Sequence, residues 1–166
     1  MRRQGGPVRG IGIELDALDR RRPDQQQREE QGRDMQRIDA RQAVNDELAI
    51  VDANYPAASS GRPVIRADGS QVPAVAAAVL SLMPLDEFVP CAAFHMQVVD
   101  NPGGQMPIFE EFRALLRKYE PRMAKLEGIE RFAFYERVKK CYAVVATGER
   151  RLYGNLILKK GIVRPD

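Results

Sequence analysis

The chain has 166 residues and a formal net charge of +3, with 26 Lys and Arg against 23 Asp and Glu. That length supports one core and excludes two, and so small a basic excess is no electrostatic footprint for nucleic acid. Cys91 and Cys141 stand far apart without CxxC spacing, which argues against a disulfide framework or zinc site and for two small buried hydrophobes in a reducing compartment.

Residues 1–44 have their own composition: Arg, Asp, Glu and Gln dominate, with no aromatic residue and no lysine. The stretch "DRRRPDQQQREEQGRDMQRIDARQ" mixes charges without a sustained apolar stripe, so an Arg-rich, flexible N-terminal extension is expected before a domain at 45–166. An RNA-binding arm is disfavoured, because the acidic residues nearly cancel the charge and no aromatics interleave for stacking. "GIGIEL" lacks a preceding strand and a third glycine, and carries no phosphate-binding argument. No apolar run approaches the roughly 18 residues of a membrane span. The protein is expected to be cytoplasmic, without a membrane or nucleic-acid partner.

From Asp46 onward the pattern is that of a compact α/β domain. "ELAIVDA" has strand length and an almost continuous apolar run, as in strands buried on both faces. Ser70 is expected to cap a helix with apolar positions Val72, Val75, Val79 and Leu82, Pro73 in its first turn and Pro84 closing it. "VPCAAFHMQVV" reads as a second buried strand. After the loop "DNPGGQ" a helix opens at Pro107, with Ile108, Phe112, Leu115 and Tyr119 as its stripe. A third helix spans "RFAFYERVKK" and leads into the strand "CYAVVATG"; the polar turn "ERRLYGN" then precedes the strand "LILKKGI". Strands alternating with helices imply a mostly parallel sheet with helices packed on it, and ligands gather beyond the carboxyl ends of such strands.

Three polar groups therefore converge: Asp52 after the first strand, Arg131 at the head of the third helix, and Tyr153, Gly154 and Asn155 before the last strand. A carboxylate accepts from adjacent hydroxyls, a guanidinium donates in a fork, an amide does both and a phenol passes a proton, which together suit a polyol such as a sugar. Phe132, Phe134 and Tyr135 offer an apolar ring face, although core positions suit them better. Each group also has a plain structural explanation: Asp52 capping a turn, Arg131 paired with Glu130 or solvent, and "YGN" as a tight turn with Gly154 at positive φ. On composition and period alone, a small-molecule α/β domain of open function remains.

The segments "DELAIVDANYPAASSG", "VIRADG", "RFAFYERVKK" and "ATGERRLYGNLILKKG", in order from about Asp46 to the C-terminus, resemble the RbsD/FucU family of L-fucose mutarotases and D-ribose pyranases, the fucose branch in particular. The resemblance implies an RbsD/FucU-like α/β fold, a monosaccharide substrate, no cofactor and no metal, and a homo-oligomer that is ring-like with sites near subunit boundaries. It also implies substrate binding by Asp52, Arg131, Tyr153, Gly154 and Asn155. Mutarotation needs one group to protonate the ring oxygen and another to take the anomeric hydroxyl proton.

The family carries a histidine for this in a Gly-His-Gly-Asp-Glu motif, whose Asp and Glu match Asp46 and Glu47; the histidine position is Val44 here. Tyr153 is then left as the catalytic proton carrier, with Asp46 or Glu47 as carboxylates near the anomeric hydroxyl. The sole histidine, His95, falls inside the second strand and is expected to be a core or interface residue, with a relocated catalytic base as the weaker alternative. The expected activity is an anomer exchange of L-fucose or a related monosaccharide such as D-ribose, impaired by the missing imidazole; the alternative is a non-catalytic monosaccharide-binding protein. Loss of the motif, of the helix expected before it and of the family's composition all coincide at residue 44, which points to residues 1–44 as foreign to the family's N-terminus, through a misread start or a shifted frame, with a truly diverged protein as the alternative.

Overall fold

The computed structural model describes residues 46–163. The Arg-rich segment, the boundary at residue 44 and Val44 itself lie outside the described residues. Six strands form one sheet in the order β2-β5-β1-β6-β3-β4, with β1 at Glu47–Val51, β2 at Val64–Ala67, β3 at Ala93–Met96, β4 at Glu127–Ile129, β5 at Ala143–Thr147 and β6 at Leu156–Lys159. The pairs β1/β5, β2/β5 and β3/β4 are parallel, whereas β6 runs antiparallel to both β1 and β3. Five strands thus share one direction and the sheet is mostly parallel, as expected. Strands β2 and β4 were not foreseen: β2 is four residues and β4 three, too short to show a period.

Helices α1 (Val72–Leu80), α2 (Pro107–Tyr119) and α3 (Arg131–Val138) cover the sheet. Alternation along β1 sends Leu48 and Ile50 to a core shared with α1 and α2, and Ala49 and Val51 to a second core shared with α3. On α2 the fully buried residues are Ile108, Phe109, Phe112 and Leu116, with Leu115 and Tyr119 packed at the margin. Both cysteines are free and buried.

Two details of α1 correct the sequence reading. Its N-cap is Gln71, without a side-chain cap hydrogen bond. Ser70 uses its backbone instead, donating to the Ala67 carbonyl at 2.9 Å and accepting from Gly148 at 2.9 Å, so it closes the turn after β2. The helix ends at Leu80 and buries Val72, Ala76 and Leu80, while Leu82 lies beyond it and is 80% exposed. Pro73 does occupy the first turn, where its missing N–H costs nothing.

His95 lies on the α2 side of β3, its ring 4.0 Å from that of Phe109 and its Nδ1 within 3.0 Å of the Met96 carbonyl. Burial pushes its pKa down. It is a core histidine.

Candidate functional site

Local pairing explains how the carboxyl edge of the sheet is built. Because β6 runs antiparallel to β1 with Ile50 opposite Leu156, extending the register sets the exit of β1 against the residues leading into β6. Asp52 and Asn155 are therefore neighbours, and both are buried. The Asp52 amide donates to Asn155 Oδ1 at 3.1 Å and Asn155 Nδ2 donates to Asp52 Oδ2 at 2.9 Å. The Asn54 amide donates to the other carboxylate oxygen at 3.0 Å, and the amides of Gly154 and Tyr55 also approach the carboxyl group. Burial raises the pKa of Asp52 and outweighs these donors, which pull it down.

The tip of β5 locks the same edge. Thr147 Oγ1 donates to the Val51 carbonyl at 2.9 Å, and the Ala53 amide donates to the Glu149 carbonyl at 2.8 Å. The glycine between them is obligatory: a Cβ on Gly148 would stand 2.0 Å from the Asp68 carbonyl oxygen. Farther on, Arg151 forks onto the buried Glu149 carboxylate, with Nε at 3.0 Å and Nη2 at 2.9 Å, and also reaches Glu111 of α2. In the turn that follows, the left-handed residue is Tyr153 at φ 64°, which corrects the expectation that Gly154 would hold that conformation. Gly154 is required for space, because a Cβ there would lie 2.8 Å from Glu149 Cγ.

Helix α3 opens beside this edge. The Glu130 carboxylate caps it, accepting from the Phe132 and Ala133 amides at 2.8 and 3.0 Å, and these donors hold its pKa down. Arg131, exposed at the first helical position, donates from Nε to Tyr135 Oη at 3.2 Å; its partner is thus a phenol, one helical turn on. Of the three aromatics on α3, Phe134 is core, Phe132 is 68% exposed, and Tyr135 packs edge-on against Tyr55 with centroids 5.3 Å apart.

These groups enclose a cleft of about 210 Å³ whose walls include Asp52, Asn54, Tyr55, Arg131, Tyr135, Tyr153 and Asn155. Asp52, Arg131, Tyr153 and Asn155 meet as expected from the sequence, with Gly154 contributing backbone behind them. Asn54, Tyr55, Met96, Val99 and Leu152 also line it and were not singled out as site residues, and so does Tyr135, which was expected in the core rather than as a ring face of the site. Tyr135 was within reach, since it stands four positions after Arg131 on one helical face; Met96, Val99 and Leu152 carry no mark beyond being apolar. Glu47 is absent from the cleft: it sits at the opposite end of β1, engaged by Arg137. His95 faces away from the cleft side of β3, which Met96 occupies, so it does not replace an imidazole within this subunit.

The sizes and chemistry match a single polar ring: the volume falls below the several hundred Å³ of drug-sized sites, and one carboxylate, one guanidinium, two amides and three phenols line it. No helix among the described residues is long and apolar enough to cross a membrane.

Residues 34–163 match the RbsD / FucU transport protein family. A fucose mutarotase of Homo sapiens is 47% identical over 130 residues, covering 75% of this chain and 84% of that protein. Among solved structures, FucU from Bifidobacterium longum superposes with a TM-score of 0.73 at 36% identity, covering 79% of this chain and 94% of that one. The fucose mutarotase from Streptococcus pneumoniae, solved in complex with L-fucose, gives a TM-score of 0.68 at 41% identity, with coverage of 74% and 86%. A match of this extent, on a sheet of this topology, leaves one conclusion: the chain belongs to the RbsD / FucU family.

Proposed function

We propose that this protein is a carbohydrate mutarotase that interconverts the anomers of L-fucose, with D-ribose as the related alternative substrate. The isomerase class follows from the family and from relatives named fucose mutarotase. The observation that carries the reading to particular residues is the reciprocal Asp52–Asn155 pair, set in one cleft with Arg131 and Tyr153. In this reading Asp52 and Asn155 hold adjacent ring hydroxyls, Arg131 donates to a third, and the Gly154 backbone keeps the carboxylate in place. The Val99 amide donates to Tyr153 Oη at 3.2 Å; with a lone pair so occupied, the phenol proton is free to point to the ring oxygen. The ring opens as that oxygen gains a proton and the anomeric hydroxyl loses one, and it recloses on the other face.

Val44 stands where the family resemblance calls for a histidine, and loss of a general acid or base lowers rates by about 10²- to 10⁴-fold. That single position supports a second reading, a monosaccharide-binding protein without exchange activity. We extend to this chain a cytoplasmic, ring-like homo-oligomer; exposed Leu82 and Phe88, at 80% and 73%, are consistent with surfaces covered by copies. NMR saturation transfer between anomeric protons of L-fucose and D-ribose tests the function, on this chain and on Val44→His. Acceleration by either supports the enzyme; sugar binding with no exchange in either leaves the binder; and neither binding nor exchange removes both readings.

A further inference from the structure

Part of the cleft wall is apolar and is carried by two turns that each hold a left-handed residue. Val99 and Leu152 remain 43% and 60% exposed while lining a cleft whose other walls, Met96 apart, carry polar groups. They sit on two separate turns. Val99 belongs to a turn closed by the Asn101 amide on the Val98 carbonyl at 3.2 Å, with Asp100 at φ 58°. Leu152 belongs to the turn anchored by the Arg151 amide on Glu149 Oε1 at 3.0 Å, with Tyr153 at φ 64°. Asp100 and Tyr153 are the only non-glycine residues at positive φ among the described residues. Left-handed conformations in such residues are disfavoured and cluster at ligand sites. The Val99 amide joins the two turns by its bond to Tyr153 Oη. Exposed apolar side chains scattered singly need no explanation, but two that line one cleft from turns joined by a hydrogen bond do.

The chemistry of a sugar ring supplies one, on the reading of this cleft as a monosaccharide site. The carbon bonded to the ring oxygen on the side away from the anomeric centre is C5, so whatever C5 carries lies beside the group that addresses the ring oxygen. Tyr153 is that group, and its hydroxyl is tied to the backbone of Val99. We infer that Val99 and Leu152, with Met96 beneath them, form an apolar corner that receives the C5 methyl group of a 6-deoxy sugar and selects among sugars sharing the same ring hydroxyls. L-Fucose, D-arabinopyranose and L-galactose form the needed series: their ring hydroxyls have one configuration, and C5 carries a methyl group, hydrogen alone, or a hydroxymethyl group. Burying one methyl group strengthens binding about fourfold. The hydroxymethyl group of L-galactose loses its water without finding a partner on these side chains, a disadvantage of about tenfold or more.

The experiment is titration of the intact chain with each of the three sugars by calorimetry, repeated on Val99→Thr and Leu152→Asn. Both positions are exposed, so the variants fold, as circular dichroism checks. The expected order for the unaltered chain is L-fucose, then D-arabinose, then L-galactose; in the variants the preference for L-fucose over D-arabinose vanishes and L-galactose gains on both. Binding of all three with equal affinity, or a preference for L-fucose that survives both substitutions, overturns the inference and leaves the sugar site standing. Binding of none removes the sugar site and the inference with it.

Discussion

Glu47 and Asp52 occupy the two ends of β1, and their carboxylates are treated differently. At the entrance, Glu47 is gripped by Arg137 through Nε at 2.8 Å and Nη2 at 2.5 Å, and the guanidinium lies 3.6 Å from the centroid of the Phe94 ring. Each charge there is met by its opposite. At the exit, Asp52 receives only neutral amide donors, and Arg131, lining the same cleft, gives its Nε to a phenol. A carboxylate and a guanidinium that face one space without closing on each other keep their strongest hydrogen bonds available to a third body. Glu47 and Arg137 satisfy each other, whereas Asp52 and Arg131 are positioned by neutral neighbours.

The comparison breaks most visibly at Asp52. Asp52→Asn keeps an amide partner for Asn155 but removes the charge, so affinity for L-fucose should fall about 10- to 100-fold by titration, with little change in folding. The same carboxyl gives a pH signature. Burial raises its pKa, so binding that depends on the carboxylate should weaken on acidification with a midpoint above the ordinary aspartate value of about 3.9, and Asp52→Asn should abolish that pH dependence.

At the other end the expected effect is on stability. Arg137→Ala leaves Glu47 partly buried without its partner and removes the contact with Phe94, a loss of about 2 kcal/mol in urea unfolding while sugar affinity stays as it was. An intermediate case sharpens the distinction. Arg151 is charge-paired like Arg137 but belongs to the cleft's own turn, and its side chain is 40% exposed. It holds Glu149 below the usual carboxylate range. A depressed pKa gives stability that is present above the unfolded value of about 4.3 and is lost as pH falls through the folded value. Arg151→Ala should therefore flatten the acid limb of the stability profile and cost about 1 kcal/mol at neutral pH, allowing for solvent screening.

The long apolar runs made β1, β5 and β6 legible, and Pro107 marked the start of α2, because burial on two faces and a fixed φ leave plain traces in sequence. Strand β4 left none: "EGI" has no period, and it exists because β3 offers an edge for it. The direction of β6 was readable in principle. Only 148–155 separate β5 from β6, fewer residues than the dozen or so of a parallel crossover, so the chain had to return antiparallel. That reversal is what sets Asn155 against Asp52. Asp52, Arg131, Tyr153 and Asn155 were legible because their donors and acceptors are chemically distinctive and stand at the ends of readable elements, whereas Asn54 and Tyr55 sit in a turn that gave no such mark. Val99 and Leu152 were not legible either, since an apolar residue in a turn acquires meaning only from what faces it.

The central place of β6 has a consequence for how the molecule is born. Of the six strands it is the last to be synthesised, yet it alone joins β2-β5-β1 to β3-β4. Until Leu156–Lys159 leaves the ribosome, the nascent chain holds two half-sheets, each with an open edge suited to pairing with a stranger. The protein closes like an arch, from both sides onto a keystone, and a polypeptide released before that point has no partial version of the site to fall back on.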